Sequence, residues 1–318
     1  MAIKVVRYEH DKKIGWGVVH GRVIAPLSSA YSSTADFVKN GMEEVRRAPI
    51  DGTSLLLDDV RLLSPITEDR QLICQGINYE SHVRESGMDP GKIGFNTIFT
   101  KASSCITSSH ADVIRPEHVR LLDYEIELGL VLRRPITSPQ EIRQDALHDW
   151  LAGVTIINDV SARDIQLPQA QFYKGKSYRT FGPTGPFFVL LDAMEWSRWS
   201  ELRMRLSVND QPRQDAYCGD MIFKPHETLT ELSMLQNLYP GDVIATGTPA
   251  GCAARAPGKL TMWILKHLMS DQTKWRMFIK KGISNPAYLQ PGDTMRASIR
   301  TDDGTIDLGE QCNRIVTP

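Results

Sequence analysis

DYEIELG, Asp123 to Gly129, alternates strictly between acidic and apolar residues up to its closing glycine. With Leu122 ahead of it, Leu122, Tyr124, Ile126 and Leu128 fall on one side of an extended chain. Asp123, Glu125 and Glu127 fall on the other. The period of two predicts a strand. Side chains two apart on a strand point the same way, roughly 7 Å apart along it, so Glu125 and Glu127 can reach one point together. Two ionised carboxylates that close repel each other unless a cation or a shared proton sits between them. Taken alone, a strand with one solvated face is the plainer account. The rest of the chain decides.

The sequence has 318 residues, enough for one large or two ordinary domains. Its 37 Lys+Arg against 38 Asp+Glu leave a formal charge of −1, so no basic field argues for nucleic acid or an anionic membrane. The opening MAIKVVRYEHDKK lacks an apolar signal core, and no uncharged run is long enough to span a bilayer. Cys74, Cys105, Cys218, Cys252 and Cys312 are odd in number and without CxxC spacing. They read as reduced thiols of a cytoplasmic protein, not a disulfide frame or zinc site.

Residues 1–65 read as a small N-terminal α/β unit. Ile3–Arg7, Gly15–His20 and Arg22–Pro26 are short strands, and Thr34–Arg47 is a helix starting near Ser33 or Thr34. The proline of VRLLSPI, Val60 to Ile66, marks the hand-over to a second unit over 66–318. There, Gln71–Cys74, Thr97–Lys101 and Leu202–Asn209 read as strands and Thr228–Leu238 as a helix. Residues 258–288 differ in character. Met262, Leu265, Leu268 and Met269, then Trp275, Phe278 and Ile279, keep helical spacing with lysines interleaved. One or two basic amphipathic helices follow, packing on the body or on a neighbouring subunit.

Four further clusters carry chemistry. In NYESHVRESG, His82 and Glu85 are three apart; on a helix they share a face and can hydrogen-bond, a pairing that suits general-base work, although a surface turn gives the same spacing. Glycines at 76, 87, 91 and 94 flank them and would let the segment move as a lid. The apolar run LAGVTIIND ends in Asp159, either a ligand presented at a sheet's edge or a cap for the next helix. Ser161 with Asp164 resembles a capping box, placing Arg163 and Gln166 on one helical face. The GKS around Lys176 is not a phosphate loop, because position 170 is alanine where the motif needs glycine. Lys176 is a candidate anion clamp or a solvated lysine. GTPAG around Thr248 is a tight turn or a carboxylate-binding loop.

In that order, NYESH, DYEIELG, NDVSARD, GKS and GDVIATGTPAG make a sequence that resembles the fumarylacetoacetate hydrolase family, and most closely its shorter bacterial members. The resemblance covers nearly the whole chain. It implies an α+β, mainly β fold: a mixed β-roll or β-sandwich catalytic domain with peripheral helices, typically a homodimer. It implies that Glu125, Glu127 and Asp159 hold a divalent metal, usually Mg²⁺, with Mn²⁺ or Ca²⁺ as alternatives. His82 and Glu85 match the catalytic dyad, and Arg163, Gln166, Lys176 and Thr248 match positions lining the substrate site. Two departures stand out. Gln75 occupies the place of a fourth acidic ligand of the long eukaryotic enzymes, and 258–288 enters a region that is short in most bacterial members.

The chemistry this implies is metal-dependent hydrolysis of a C–C bond in an acylpyruvate-type 2,4-dioxo acid, in the catabolism of aromatic compounds. Decarboxylation of a 2-oxo acid, or isomerisation or hydration of a 2-hydroxydienoate, would use the same groups. A protein that only binds a cation is the alternative of another class, although such a site needs no imidazole base.

Overall fold

The computed structural model describes residues 2–48, 53–256 and 269–318. Its centre is the hairpin of strands Ile126–Leu132 and Leu151–Asn158, paired antiparallel with Ile126 opposite Asn158 and Gly129 opposite Thr155. Every residue of both strands is buried. The half-solvated strand considered for DYEIELG is therefore absent. Ile126–Leu132 has strands on both edges and is covered on both faces, so even its acidic positions lie inside. Nor is the stretch one strand: Leu122–Asp123 pairs with Ser161–Ala162 in a separate two-stranded ribbon, and Tyr124 and Glu125 bridge the two pieces.

The main sheet spreads from this hairpin. On one side Val243–Ala245 pairs antiparallel with Ile126–Leu132 and parallel with Leu72–Gly76, which pairs with Thr97–Lys101. On the other side Phe188–Leu190 pairs with both Leu151–Asn158 and Ile3–His10. The N-terminal strands Lys13–His20, Val23–Pro26 and Leu55–Leu56 follow in order, so one sheet runs through both parts of the chain. A second sheet, Gln211–Tyr217, Arg203–Val208, Thr294–Arg300, Asp307–Val316 and Val113–Ile114, packs over the centre of the first. The result is the mainly β, mixed α+β architecture expected, with helices at the periphery.

Some local expectations shift. The helix over Thr34–Arg47 is two pieces, Thr34–Asn40 and Met42–Val45. They meet at Gly41, where a Cβ would lie 2.6 Å from the Phe37 ring. Ser33 does cap the first piece, accepting from the Asp36 N–H at 3.2 Å. Phe37 stacks on Trp16 with centroids 4.6 Å apart and meets Phe188 edge-on at 6.0 Å, locking this helix to the central sheet. Asn209 and Asp210, both with positive φ, form the turn between Arg203–Val208 and Gln211–Tyr217. Of the amphipathic segment 258–288, residues 258–268 lie outside the described residues. The rest supplies the helix Asp271–Ile283, capped by Ser270 and packed on the core through Phe278, Ile279 and Gly282. Among the described residues no helix is long and apolar enough to cross a membrane.

Candidate active site

The register of the central hairpin explains how three carboxylates meet. Glu125 and Asp159 each lie one residue beyond the Ile126–Asn158 pair, at the same end, and the Asp159 N–H donates to the Glu125 carbonyl at 2.8 Å. Glu127 lies two residues from Glu125. Ligand oxygens of Glu125, Glu127 and Asp159 all fall within 4.8 Å of one another, and all three residues are buried. Asp159 does not cap the next helix, Arg163–Gln169, whose N-cap is Ala162 with no side-chain cap. The capping box suggested by Ser161 and Asp164 is not formed either. The Ser161 hydroxyl turns back to the Asp159 carbonyl, while Asp164 accepts the N–H groups of Arg120 and Leu121.

Buried cations surround the cluster. Lys176 ends the short helix Phe172–Lys176 and reaches both Glu125 Oε2 and Asp159 Oδ2 at 2.5 Å. It is a buried clamp, not a solvated lysine. Arg163 donates to Asp123 Oδ2 and to Gln166 Oε1, both at 2.8 Å, and to Glu125 Oε1. Arg163 and Gln166 thus sit side by side, as their spacing predicted. A third cation went unread in the sequence: Lys101, fully buried, donates to Asp159 Oδ1 at 2.5 Å and to the Phe181 carbonyl at 2.7 Å.

These contacts divide the carboxylates. Burial alone would raise Glu125, but Arg163 and Lys176 override it and hold the carboxyl at about 2. Among the described residues Glu127 has no ion pair; it accepts from the Gly247 N–H at 3.0 Å. Burial, then the charges of Asp159 and Glu125, push it well above the ordinary carboxylate range. Asp123, Glu125, Glu127 and Asp159 outnumber Lys101, Arg163 and Lys176, all buried, so one negative charge is left over when every carboxyl is ionised. An all-oxygen donor set with surplus negative charge fits a hard divalent cation such as Mg²⁺, Mn²⁺ or Ca²⁺. Gln75, where a fourth acid was considered, binds Asn96 Oδ1 and Thr228 Oγ1 through its amide nitrogen.

His82 and Glu85 lie on the helix Glu80–Glu85. They share it but do not hydrogen-bond. Glu85 Oε2 accepts from the Gly251 N–H at 2.8 Å and Oε1 pairs with Arg255 Nε at 2.9 Å. His82 Nδ1 is buried and has no partner among the described residues. Burial lowers the His82 pKa, and the charges that act on it are Glu125 and Asp123, which raise it, and Arg163 and Lys176, which lower it. Burial thus favours the neutral imidazole, within electrostatic reach of the acidic cluster. Thr248 is committed to the scaffold: its hydroxyl donates to the Ile126 carbonyl at 2.9 Å and accepts from Gln214 Nε2 at 2.8 Å. Its one donated hydrogen is spent, so it shapes the loop instead of donating to a ligand.

Residues 71–316 match the family profile described as fumarylacetoacetate (FAA) hydrolase C-terminal. The chain belongs to the fumarylacetoacetate hydrolase family. Residues 3–65 match a second profile, Rv2993c-like, N-terminal. An uncharacterized protein of Staphylococcus aureus (strain USA300) is 32% identical over 277 residues, 84% of this chain and 79% of that protein. Among solved structures, a fumarylacetoacetate hydrolase from Exiguobacterium antarcticum is 29% identical, with TM-score 0.73, over 99% of this chain and 100% of that one. A probable 2-hydroxyhepta-2,4-diene-1,7-dioate isomerase from Mycobacterium abscessus is 27% identical, with TM-score 0.71, over 100% and 99%. A maleylpyruvate hydrolase from Sphingobium sp. SYK-6, in complex with manganese(II) and pyruvate, shares the fold at 22% identity, with TM-score 0.71 over 99% of both chains. The family's structural neighbours thus include hydrolases and an isomerase on one architecture.

Proposed function

We propose that this protein hydrolyses a C–C bond of an acylpyruvate-type 2,4-dioxo acid, giving pyruvate or a related keto acid and a carboxylic acid. The observation that carries the reading is His82: a buried imidazole whose pKa is lowered and whose Nδ1 has no partner among the described residues, within electrostatic reach of an acidic cluster that could hold a divalent cation. A divalent ion held by Glu125, Glu127 and Asp159 would supply positive charge to the oxygens of the 2-oxo acid.

The chain's own groups account for the rest. Arg163 spends three N–H donors on Asp123, Gln166 and Glu125, leaving two of its five for a substrate carboxylate. Lys176 spends two of three on Glu125 and Asp159, leaving one for an oxygen that gains charge. His82 takes a proton from water as that water adds to the 4-carbonyl. The C3–C4 bond then breaks, its electron pair passes to the 2-oxygen as an enolate, and protonation at C3 gives the keto acid. In this reading His82 returns that proton.

The likeness to the Mycobacterium abscessus isomerase supports a second reading. There His82 would move a proton between carbons of a 2-hydroxydienoate, with no attacking water. Incubating the protein and Mg²⁺ with acylpyruvates, oxaloacetate and 2-hydroxydienoates separates the possibilities. Pyruvate with a free acid is expected. CO₂ release or isomerisation without acylpyruvate cleavage would replace hydrolysis, and no turnover of any would leave a cation-binding protein.

A further inference from the structure

The helix that carries His82 has six residues and no side-chain cap at its N-terminus, too little to hold a position alone. A loop over residues 250–256 fastens it. The Ala250 N–H donates to Ser81 Oγ at 3.3 Å, and four residues further along the helix the Ala256 N–H donates to the Glu85 carbonyl at 3.2 Å. Between them the Glu85 carboxylate takes the Gly251 N–H on one oxygen and Arg255 on the other. The same loop is tied to the acidic cluster. Asp123 accepts the N–H groups of Ala253 and Ala254 at 2.8 and 3.0 Å, and the Tyr124 hydroxyl donates to the Gly251 carbonyl at 3.1 Å. Asp123 also holds Arg163, which holds Glu125. A continuous series of bonds therefore runs from Glu125, through Arg163, Asp123 and the loop, to Glu85 and the histidine helix.

We propose that Arg255 is a positioning residue for His82, acting through Glu85, which fastens the histidine helix to this loop. The inference rests on His82 acting as the base. Both Glu85 oxygens are engaged by the loop, and no hydrogen bond joins Glu85 to His82. The Arg255 side chain is 66% exposed and that of Glu85 14%. A pair so near the surface adds little to global stability, so its loss loosens the helix locally without unfolding the protein.

The test compares Arg255→Ala, Arg255→Lys, Glu85→Gln and the double variant Arg255→Ala/Glu85→Gln, all loaded with Mg²⁺. Hydrogen exchange of the backbone amides at residues 82–88 should quicken in Arg255→Ala. Its kcat on an acylpyruvate should fall roughly 3- to 10-fold with KM nearly unchanged, and Arg255→Lys should recover most of both losses. The double variant should be no worse than Glu85→Gln alone, since both changes break one pair. Unchanged exchange in Arg255→Ala would overturn the strap. So would losses that multiply in the double variant, which would show that Arg255 acts by a route other than Glu85. If the protein cleaves no dioxo acid, the exchange measurement still decides the strap, and the hydrolase reading fails separately.

Discussion

Replacing Lys101 by methionine should weaken the fold while tightening its hold on a divalent cation. The Lys101 ammonium is fully buried and contacts Asp159 Oδ1 at 2.5 Å and the Phe181 carbonyl at 2.7 Å. Methionine is close in volume and unbranched, so the cavity contribution is small. What remains is electrostatic. Removing one partner of a buried ion pair costs about 3–5 kcal/mol, because the other charge stays buried and uncompensated. Asp159 keeps Lys176 on its other oxygen, which places the loss near the lower end, about 3 kcal/mol. For a chain of this size each kcal/mol moves Tm by roughly 2 °C, so a fall of about 6 °C is expected in metal-free protein. Cation affinity should move the other way. Lys101 repels any divalent ion bound by Asp159, and its removal returns one negative charge to the cluster. Thermal melts of wild type and Lys101→Met, each titrated with MgCl₂, read both effects at once: a lower starting Tm and a midpoint at lower Mg²⁺. A variant that melts with wild type, or that needs more Mg²⁺, would refute this account of the charge balance.

The other carboxylates and the histidine make further predictions. Glu127→Gln removes the ligand that has no ion pair, so Mg²⁺-dependent turnover should fall by at least about 10-fold while metal-free Tm changes by less than about 2 °C; calorimetric titration with Mg²⁺ and a thermal melt check it, and unchanged affinity would remove Glu127 from the ligand set. Because burial lowers His82 below its ordinary 6.5, the neutral base should persist into more acidic solution than a free imidazole, and the acid limb of kcat/KM should lie below pH 6.5. The stability term carries the matching sign. Below pH 6.5 the unfolded chain binds a proton that the folded His82 refuses, so this contribution is lost as pH falls from 6.5 towards the lowered folded value, and His82→Gln should flatten that part of the urea-stability profile.

The acidic cluster was legible because its signal is local: two glutamates in a period-two stretch and an aspartate ending an apolar run both specify direction as well as residue type. Arg163 with Gln166 was legible for the same reason, through helical spacing. Lys101 was not. It closes the strand Thr97–Lys101, where a lysine ordinarily reaches solvent, and only its place at residue 101 beside Asp159, 58 positions on, makes it internal. The His82–Glu85 spacing correctly put both on one helix, but three-residue separation permits a hydrogen bond without enforcing it. The partners that outcompeted His82, Gly251 and Arg255, are about 170 residues away along the chain and carried no signal of contact. The break in the acidic stretch at Tyr124 and Glu125 was hidden likewise, since alternation continues through these two residues although they join strands of two different sheets.

The continuous sheet has a consequence for how the protein is made. Ile3 pairs with Leu190 and Val5 with Phe188, so the first strand waits for a partner synthesised about 185 residues later. At ordinary elongation rates of about 5–20 residues per second, that strand leaves the ribosome roughly 10–40 s before its neighbour exists. Meanwhile the Ile3–Val5 end of its hairpin with Lys13–His20 offers an unpaired edge to other nascent chains, while Arg7–Glu9 can already pair with Arg61–Leu63. Crowded expression should therefore favour aggregation through the N-terminal hairpin, and slower initiation or a holding chaperone should raise the yield of correctly sealed protein.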